Sequence, residues 1–219
     1  MRSAKRRWAA AAVVAAGLWT LPGVSPGAVA QTTQAPAAEV DPAVAAEAEA
    51  GVRVIYDRAA AAFNERDWPE FVDCVSPPRR DELVGQTAIG FATMAQMDGA
   101  DPRVAELVAE HLPKDLDPVQ LSMGSDDPRA DRIRLAKRLA DPMGFFAQAM
   151  SLAFALQYGD AMEEVKVTAL QNLSFDPPHQ HAAGEVTFAI PDAQRKDFWT
   201  FEKLEDGWFL SMQQPERVQ

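Results

Sequence analysis

The sequence predicts an α+β fold, with helices in the first part of the chain and antiparallel strands in the last. Between residues 42 and 158, apolar residues recur at three- and four-residue steps, the spacing of a helix that buries one face. From residue 164 onward they alternate, which is the period of a half-buried strand. Separate runs of helices and strands in one chain predict a single α+β domain.

Residues 1–30 have the three-part layout of a secretory signal peptide. The basic start is formed by Arg2, Lys5, Arg6 and Arg7. An uncharged run at 8–21 follows, and the small residues at 28–30 precede a cleavage point. We expect cleavage after Ala30 and a periplasmic or secreted protein. The alternative is an uncleaved anchor, although a membrane span needs about 20 apolar residues.

The composition excludes several classes of protein. The 219 residues include 21 Lys and Arg against 32 Asp and Glu, a net charge of −11. Cleavage would remove four basic and no acidic residues, which makes the net charge −15. Such a chain is a poor partner for nucleic acid or for an anionic membrane surface. With one cysteine it has no internal disulfide and no Cys-rich zinc module, and Cys74 among apolar neighbours is expected to be buried and inert.

The elements are predicted as follows. Residues 31–40 lack periodicity and form a flexible leader, so the domain spans 41–219. Each of five Asp-Pro pairs, at 41, 101, 117, 127 and 141, precedes a helical pattern, because Asp caps the free amides of the first turn and Pro has no amide to leave unsatisfied. Helices are expected at about 42–65, from Asp67 to a stop at Ser76-Pro77-Pro78, and at about 80–97, 102–112, 128–140 and 142–158.

Two of these helices have distinct surfaces. Helix 128–140 is expected to expose a basic side formed by Arg129, Arg132, Arg134, Lys137 and Arg138. Helix 142–158 is apolar nearly all round, so it should be buried, and it could line a pocket or dock on a partner. At about 17 residues with two glutamines inside, it is too short and too polar for a membrane span.

The strands are expected at 164–175, 184–190, 196–204 and 208–214. Asp206-Gly207 between the last two has the composition of a two-residue hairpin turn. The final hairpin carries aromatic side chains on both faces, namely Phe198, Trp199, Phe201, Trp208 and Phe209. One face must pack on the helices. The other face either contacts a partner or is covered by helices 128–158. We favour a partner, in the form of a homodimer through the sheet.

Two stretches resemble a known family. The helix end Ala62-Phe63-Asn64-Glu65-Arg66-Asp67-Trp68, followed by a short helix, resembles the opening of NTF2-like proteins of the cystatin-like cone fold. The segment 198–210 resembles the last hairpin of the same superfamily, and residues 98–160 would be a helical insertion. The resemblance implies a curled antiparallel sheet wrapped round the first helix, with an apolar pocket between them. Its candidate lining residues are Tyr56, Ala59, Phe63, Phe146, Phe154, Phe188, Trp199 and Trp208.

The superfamily contains isomerases as well as binding modules, so the fold does not decide the function. In ketosteroid-isomerase-like members, a tyrosine five positions before the asparagine of the helix-one motif donates to the oxyanion. The residue at that position here is Ala59, and Tyr56, three residues earlier and about 300° round the helix, is not an obvious substitute. The resemblance therefore does not supply that active site.

Other candidate chemistry is sparse. His179 and His181 are two apart and could hold a metal, but His111 is the only further histidine and the pair follows a Pro-Pro turn, so we expect no metal. No phosphate loop or dinucleotide fingerprint is present, so we expect no cofactor.

The interpretation is a non-enzymatic, extracytoplasmic protein that binds a small apolar ligand or another protein through a small apolar pocket or through its sheet. The alternative is a cone-pocket isomerase or hydro-lyase that uses a buried carboxylate or His111. The carboxylates near apolar elements are Asp57, Asp73 and Glu163. A third possibility is a scaffold or envelope component without a ligand.

Overall fold

The computed structural model describes residues 42–115, 126–176 and 179–211, and within them it confirms the α+β prediction. The helices are α1 (Pro42–Glu65), α2 (Trp68–Asp73), α3 (Pro77–Ala95), α4 (Pro102–His111), α5 (Pro128–Ala136) and α6 (Pro142–Tyr158), followed by a 3-10 helix at Gly159–Glu164. The strands are β1 (Lys166–Phe175), β2 (His181–Ile190), β3 (Ala193–Leu204) and β4 (Gly207–Leu210). The predicted signal peptide and leader, and the pair Asp117-Pro118, lie outside the described residues.

Aspartate caps start most of these helices, as the Asp-Pro pairs predict. The side chain of Asp101 accepts a hydrogen bond from the amide of Arg103, and Asp127 and Asp141 do the same for the amides three residues on. Asp67 caps α2 in the same way, with proline in the first turn. These carboxylates satisfy backbone donors that a helix start leaves without partners. Their role in the structure is therefore local.

Several boundaries differ from the sequence prediction. The helix expected at 128–140 ends at Ala136, the second and third strands begin at His181 and Ala193 instead of 184 and 196, and the last ends at Leu210. Two further differences have a local cause. The prolines at 77 and 78 begin α3 rather than only ending α2, because a proline in the first helical turn loses no hydrogen bond. The hairpin turn between β3 and β4 is Glu205-Asp206, since Leu204 pairs with Gly207. Gly207 therefore occupies the first strand position after the turn. Its φ is +130°, a value that only glycine adopts readily.

The chain divides into two compact units. In the described residues, the sheet unit comprises 42–76 and 164–211, and the helical unit comprises 77–115 and 126–163. The helical unit thus starts at Pro77, ahead of the predicted insertion at about 98–160. The single-domain organisation stays a prediction.

In the sheet unit, the strands form an antiparallel meander in the order β1-β2-β3-β4. Helix α1 contacts both edge strands of this sheet, β1 and β4. A straight helix can touch both edges of a four-stranded sheet only if the sheet curls round it. The predicted curled sheet around residues 42–65 is confirmed.

The end of α1 is fastened to β1 by the residues of the helix-one motif. The side-chain amide of Asn64 accepts a hydrogen bond from the Val167 amide at 2.7 Å and donates one to the Val167 carbonyl at 3.0 Å. Arg66, with a left-handed φ of +63°, donates to the carbonyls of Phe63 and Val165. The motif therefore has a structural role, which is to end α1 and dock it on the first strand.

The two edges of the sheet are built differently. The chain after α2 runs beside β4, where the Ser76 amide donates to the Leu210 carbonyl and the Leu210 amide donates to the Cys74 carbonyl. Strand β1 has two register shifts, and Asn172 within the second has a φ of +53°. Bulges of this kind bend and interrupt an edge strand. Cys74 is fully buried, as predicted.

In the helical unit, α3 contacts α4, α5 and α6. Gly85 allows the close approach of α5, because a Cβ at this position would lie 1.9 Å from the Arg132 carbonyl oxygen. Phe91 of α3 and Phe145 of α6 pack edge to face with centroids 6.3 Å apart. Within the predicted exposed basic side of residues 128–140, Arg132 is the exception, with its side chain only 25% exposed.

Candidate functional site

The face of the sheet that meets α1, here called the concave face, is set by strand parity. Strands β2 and β3 pair without a register shift from His181↔Glu202 to Ile190↔Ala193, so alternate residues share a face throughout. Trp199 of β3 contacts Tyr56 of α1, with ring centroids 5.9 Å apart. Trp199 and the residues at even spacing from it therefore belong to the concave face.

Aromatic rings fill the space between α1, α2 and this face. Phe63 lies edge to face with Trp68, Phe71 and Phe188 at centroid distances of 5.6 to 6.2 Å. Trp199 makes the same kind of contact with Phe71 and Phe188. A ligand placed between α1 and the sheet would have to displace some of these ring contacts, which stabilise the pair beyond simple burial.

The predicted lining residues fall into separate groups. Tyr56, Ala59, Phe63, Phe188 and Trp199 are all buried in the sheet unit, and all but Ala59 belong to the ring cluster. Trp208 is buried in the same unit, but its ring packs on α1 at Gly51, where a Cβ would lie 2.4 Å from the indole Cδ1.

The remaining two, Phe146 and Phe154, are buried residues of α6 in the helical unit. Phe154 packs against Tyr158 with centroids 5.8 Å apart. The resemblance grouped these two phenylalanines with the α1 residues, whereas they belong to a different compact unit of the chain.

The sequence reasoning missed a charged pair on the concave face. Arg195 and Asp197 precede Trp199 at even spacing, opposite Phe188 and Val186 of β2. The Arg195 guanidinium donates to the Asp197 carboxylate at 3.0 Å, and both are partly exposed. The signal was present in the alternation of β3, which separates Trp199 from Phe198 and unites it with these two charges. The pair could orient the polar end of a ligand at this end of the sheet.

Tyr56 supplies the other polar group of the cluster. Burial raises the pKa of its phenol, and the nearby Asp57 carboxylate raises it further. The hydroxyl therefore stays protonated at neutral pH and can act as a hydrogen-bond donor. Tyr56 and Ala59 are three residues apart on α1 and both are buried, so they share one face of the helix, contrary to the sequence-based expectation that Tyr56 could not replace a donor at position 59.

The opposite face of the sheet, here called the convex face, carries an exposed aromatic residue. Phe198 is 59% exposed, and it lies directly across from Glu185 of β2. Lys196, two residues before it, forms a 2.7 Å ion pair with Glu185. Phe198 thus lies beside one charge of each sign on this face, and aromatic residues are enriched in contact surfaces between proteins.

The two histidines near β2 have different surroundings. His179 lies in a bend with a φ of +63° and packs against Phe175, whereas His181 begins β2 and its Nδ1 lies 2.8 Å from the Asp176 carboxylate. Burial raises the pKa of Asp176, but hydrogen bonds from His181 and Gln180 and the charge of His181 lower it by more, so it lies below its ordinary value. If His179 and His181 both belonged to a strand, their side chains would point to the same face of the sheet. His179 instead lies in the bend before β2, so this rule does not apply to it.

The acid and base candidates are mostly at the surface. Asp57, Asp73 and Glu163 are exposed, so none of them lies in the buried environment expected of the proposed acid or base. His111, at the end of α4, is partly buried beside Phe145, and its Nε2 lies 3.2 Å from the Gln148 side chain. Within 42–115, 126–176 and 179–211, no group of three or more His, Cys, Asp or Glu is placed to hold a metal ion.

No helix in the described part of the chain has the length and apolar character needed to cross a membrane. No family model, curated protein or solved structure matches this chain. The geometry of the two units is therefore the basis for any statement about function.

Proposed function

We propose that this chain is a non-enzymatic, extracytoplasmic interaction protein that forms a homodimer through the convex face of its sheet. The observation that carries the proposal is Phe198, which is the most exposed phenylalanine among the described residues and lies on a regular, paired part of the sheet. Exposing a large aromatic side chain to water is unfavourable, and a second copy would remove that cost.

The charges around Phe198 favour a second copy as the partner. A two-fold interface brings the same surface of both subunits together, so it must be self-complementary. Lys196 and Glu185 provide one charge of each sign within 2.7 Å of each other. Facing copies can place each lysine near the partner's glutamate while the two Phe198 rings pack at the centre. The layout of residues 1–30 supports export of the chain before it assembles.

The packing of the interior supports an interaction role over a pocket enzyme. The rings between α1 and the sheet contact one another, and the charges on the concave face, Arg195 and Asp197, neutralise each other. An isomerase or hydro-lyase would need a carboxylate with a raised pKa beside its substrate. A small apolar ligand that displaces part of the ring cluster remains the second candidate, with Arg195 and Asp197 as its polar contacts.

The test compares two exposed apolar side chains on different surfaces. We expect purified protein at about 100 µM to have the native mass of a dimer, and Phe198→Ser to have the mass of one chain, since loss of one central aromatic anchor weakens an interface by about 2 kcal/mol or more. Val54→Ser is the control, because Val54 is 70% exposed on α1 and away from this face. A wild-type monomer, or a Phe198→Ser dimer, would contradict the proposal.

The same samples test the export part of the proposal and the ligand alternative. Denatured protein recovered from the periplasm or the medium of its own host should have the mass of residues 31–219. A native mass that exceeds a whole multiple of the chain by a few hundred daltons would favour the ligand binder.

A further inference from the structure

In the helical unit, three guanidinium groups converge on one carboxylate. Glu82 of α3 lies 2.8 Å from Arg79 Nη1, 3.2 Å from Arg129 Nε and 3.4 Å from Arg132 Nη1. The arginines come from the first turn of α3 and from α5, which packs on α3 at Gly85. Glu82 is only 17% exposed, so the group is partly shielded from water. We call these four residues the arginine cluster.

The arginine cluster has more positive charge and more donors than Glu82 can satisfy. Three guanidinium groups and one carboxylate leave a net charge of +2. Each guanidinium has five N–H donors, whereas a carboxylate offers about four lone-pair positions. The other protein acceptors for Arg132 are the Gln86 side chain and the Pro128 carbonyl. Arg129 is 49% exposed, so its remaining N–H donors are accessible to a second acceptor from outside the protein.

The acidic residues around the arginine cluster are engaged elsewhere. Asp131 pairs with Arg134, and Asp81 lies 3.9 Å from Lys137. Asp127 caps α5 through the Ala130 amide. The cluster therefore keeps its positive charge.

The position of this charge in the chain is unusual. Seven of the 17 basic residues that follow position 30 lie at 79–80 and 129–138, in a chain whose net charge is −11. The segments 79–82 and 126–138 also hold five acidic residues, at 81, 82, 126, 127 and 131, so the local excess is two positive charges. A positive excess in an otherwise acidic chain is consistent with a surface that recognises negative charge.

We propose that the arginine cluster binds a doubly charged tetrahedral oxyanion of the phosphate class, next to Glu82. A dianion balances the net charge of +2, and planar guanidinium groups match the spacing of phosphate oxygens through paired hydrogen bonds. Arg129 is the principal contact because it is the most exposed of the three. The phosphate could be free in solution or part of a lipid headgroup, since both present the same oxygens. This inference is independent of the dimer proposed for the sheet unit.

The test is a calorimetric titration of the full chain with inorganic phosphate, at an ionic strength held near 0.1 M, where the screening length is about 10 Å. We expect saturable binding that Arg129→Gln weakens about tenfold, the loss typical of one charge-assisted donor. Arg103→Gln is the matched control, because Arg103 is an exposed arginine of the same unit paired with a single carboxylate, Asp101. This control should change the affinity less than about twofold.

Glu82→Gln separates an anion site from a purely structural network. Removing the carboxylate charge leaves +3 on the cluster, so phosphate should bind about tenfold more tightly, even if the variant is less stable. If the cluster only stabilised the fold, Glu82→Gln would not increase the affinity for phosphate. If Glu82→Gln does not fold, Arg79→Gln takes its place and should weaken binding as Arg129→Gln does.

Vesicles of phosphatidylcholine with and without phosphatidic acid distinguish the two sources. Binding to phosphate but not to the vesicles identifies a free oxyanion, and binding to phosphatidic acid vesicles that Arg129→Gln abolishes identifies a lipid headgroup. The proposal is overturned if neither probe binds, or if Arg103→Gln weakens binding as much as Arg129→Gln.

Discussion

The interior of each unit of this chain is stabilised by a different kind of contact. The interior of the sheet unit consists of aromatic rings in edge-to-face contact around Phe63 and Trp199. In the helical unit, the contact between α3 and α5 combines a glycine crossing with the partly buried arginine cluster. Ring packing depends on shape and area, whereas the charge network depends on ionic strength. We therefore expect ionic strength to affect the stability of the helical unit more than that of the sheet unit.

The largest effect is expected from Phe63→Ala. Phe63 is 1% exposed and touches rings from α2 and β2, so its removal opens a cavity that the surrounding rings cannot fill. We expect a loss of about 4 kcal/mol in the free energy of unfolding. Hydrogen exchange should show the loss in β2 and β3. Equal loss of protection in α3 and α5 would contradict the view that the two units are stabilised independently.

Gly85→Ala should have the next largest effect, and it tests the helical unit. The new Cβ would meet backbone atoms of Arg132, which cannot move aside without separating α3 from α5, so we expect a loss of about 3 kcal/mol. Gly90→Ala in the same helix is the control, because a Cβ there meets no atom within 4 Å. That control should gain about 0.5 kcal/mol from helix propensity. Denaturant unfolding of both variants provides the measurement, and a neutral Gly85→Ala would contradict the close crossing.

Asn64→Ala tests how α1 is fastened to the sheet. It removes both hydrogen bonds to Val167 and leaves that peptide group without its partners, which should cost about 2 kcal/mol. Asn64→Asp keeps the acceptor but places a carboxylate oxygen against the Val167 carbonyl where the donor was, so this variant should be destabilised as well. If thermal unfolding shows neither variant to be less stable than wild type, the two bonds do not hold α1 on the sheet.

High salt should destabilise the helical unit and leave the sheet unit unchanged. At about 1 M NaCl the screening length falls to about 3 Å, which weakens the attraction between Glu82 and its arginines. We expect protection of α3 and α5 against hydrogen exchange to fall by about 1 kcal/mol, while β2 and β3 keep theirs. Sodium sulfate is unsuitable for this comparison, because a dianion could occupy the arginine cluster. A uniform response would show that the charge network does not stabilise the helical unit.

The smallest effect concerns the rim of the sheet unit. The pKa of Asp176 is lower in the folded chain than its ordinary value of 3.8, so its ionised form stabilises the fold above that pH. The contribution is lost as the pH falls through the folded pKa, and screening of the partly exposed carboxylate keeps it below about 1 kcal/mol. Asp176→Asn should therefore be less stable than wild type at pH 7 and equally stable near pH 2. A difference that persists at pH 2 would assign the effect to hydrogen-bond geometry instead.

Local signals in the sequence predicted the elements well. The Asp-Pro pairs place the starts of α4, α5 and α6 correctly because capping depends only on residues within one turn. The hairpin turn was one residue off, since a composition signal does not show which residue takes the positive φ. The alternation in β3 already contained the pairing of Arg195 with Asp197, but reading the aromatic residues as one set concealed it.

The curled sheet round α1 was predicted from the family resemblance, but individual contacts between distant residues could not be predicted. Nothing near Glu82 indicates that Arg129 and Arg132, more than 40 residues later, will meet it. The close approach at Gly85 likewise depends on how α5 crosses α3. Of the candidate pocket residues, Phe146 and Phe154 belong to the helical unit and the others to the sheet unit, because hydrophobicity shows that a residue is buried and not which unit contains it. The pocket itself stays a prediction.

The interrupted first strand limits how copies of this protein can join. Growing a fibril by adding strands requires several consecutive backbone groups along a straight edge. On one side of the sheet, residues 74–76 already occupy part of the edge of β4, and on the other the two register shifts bend β1. Neither end offers a template for open-ended polymerisation. Addition of further strands at either edge of the folded sheet is therefore disfavoured.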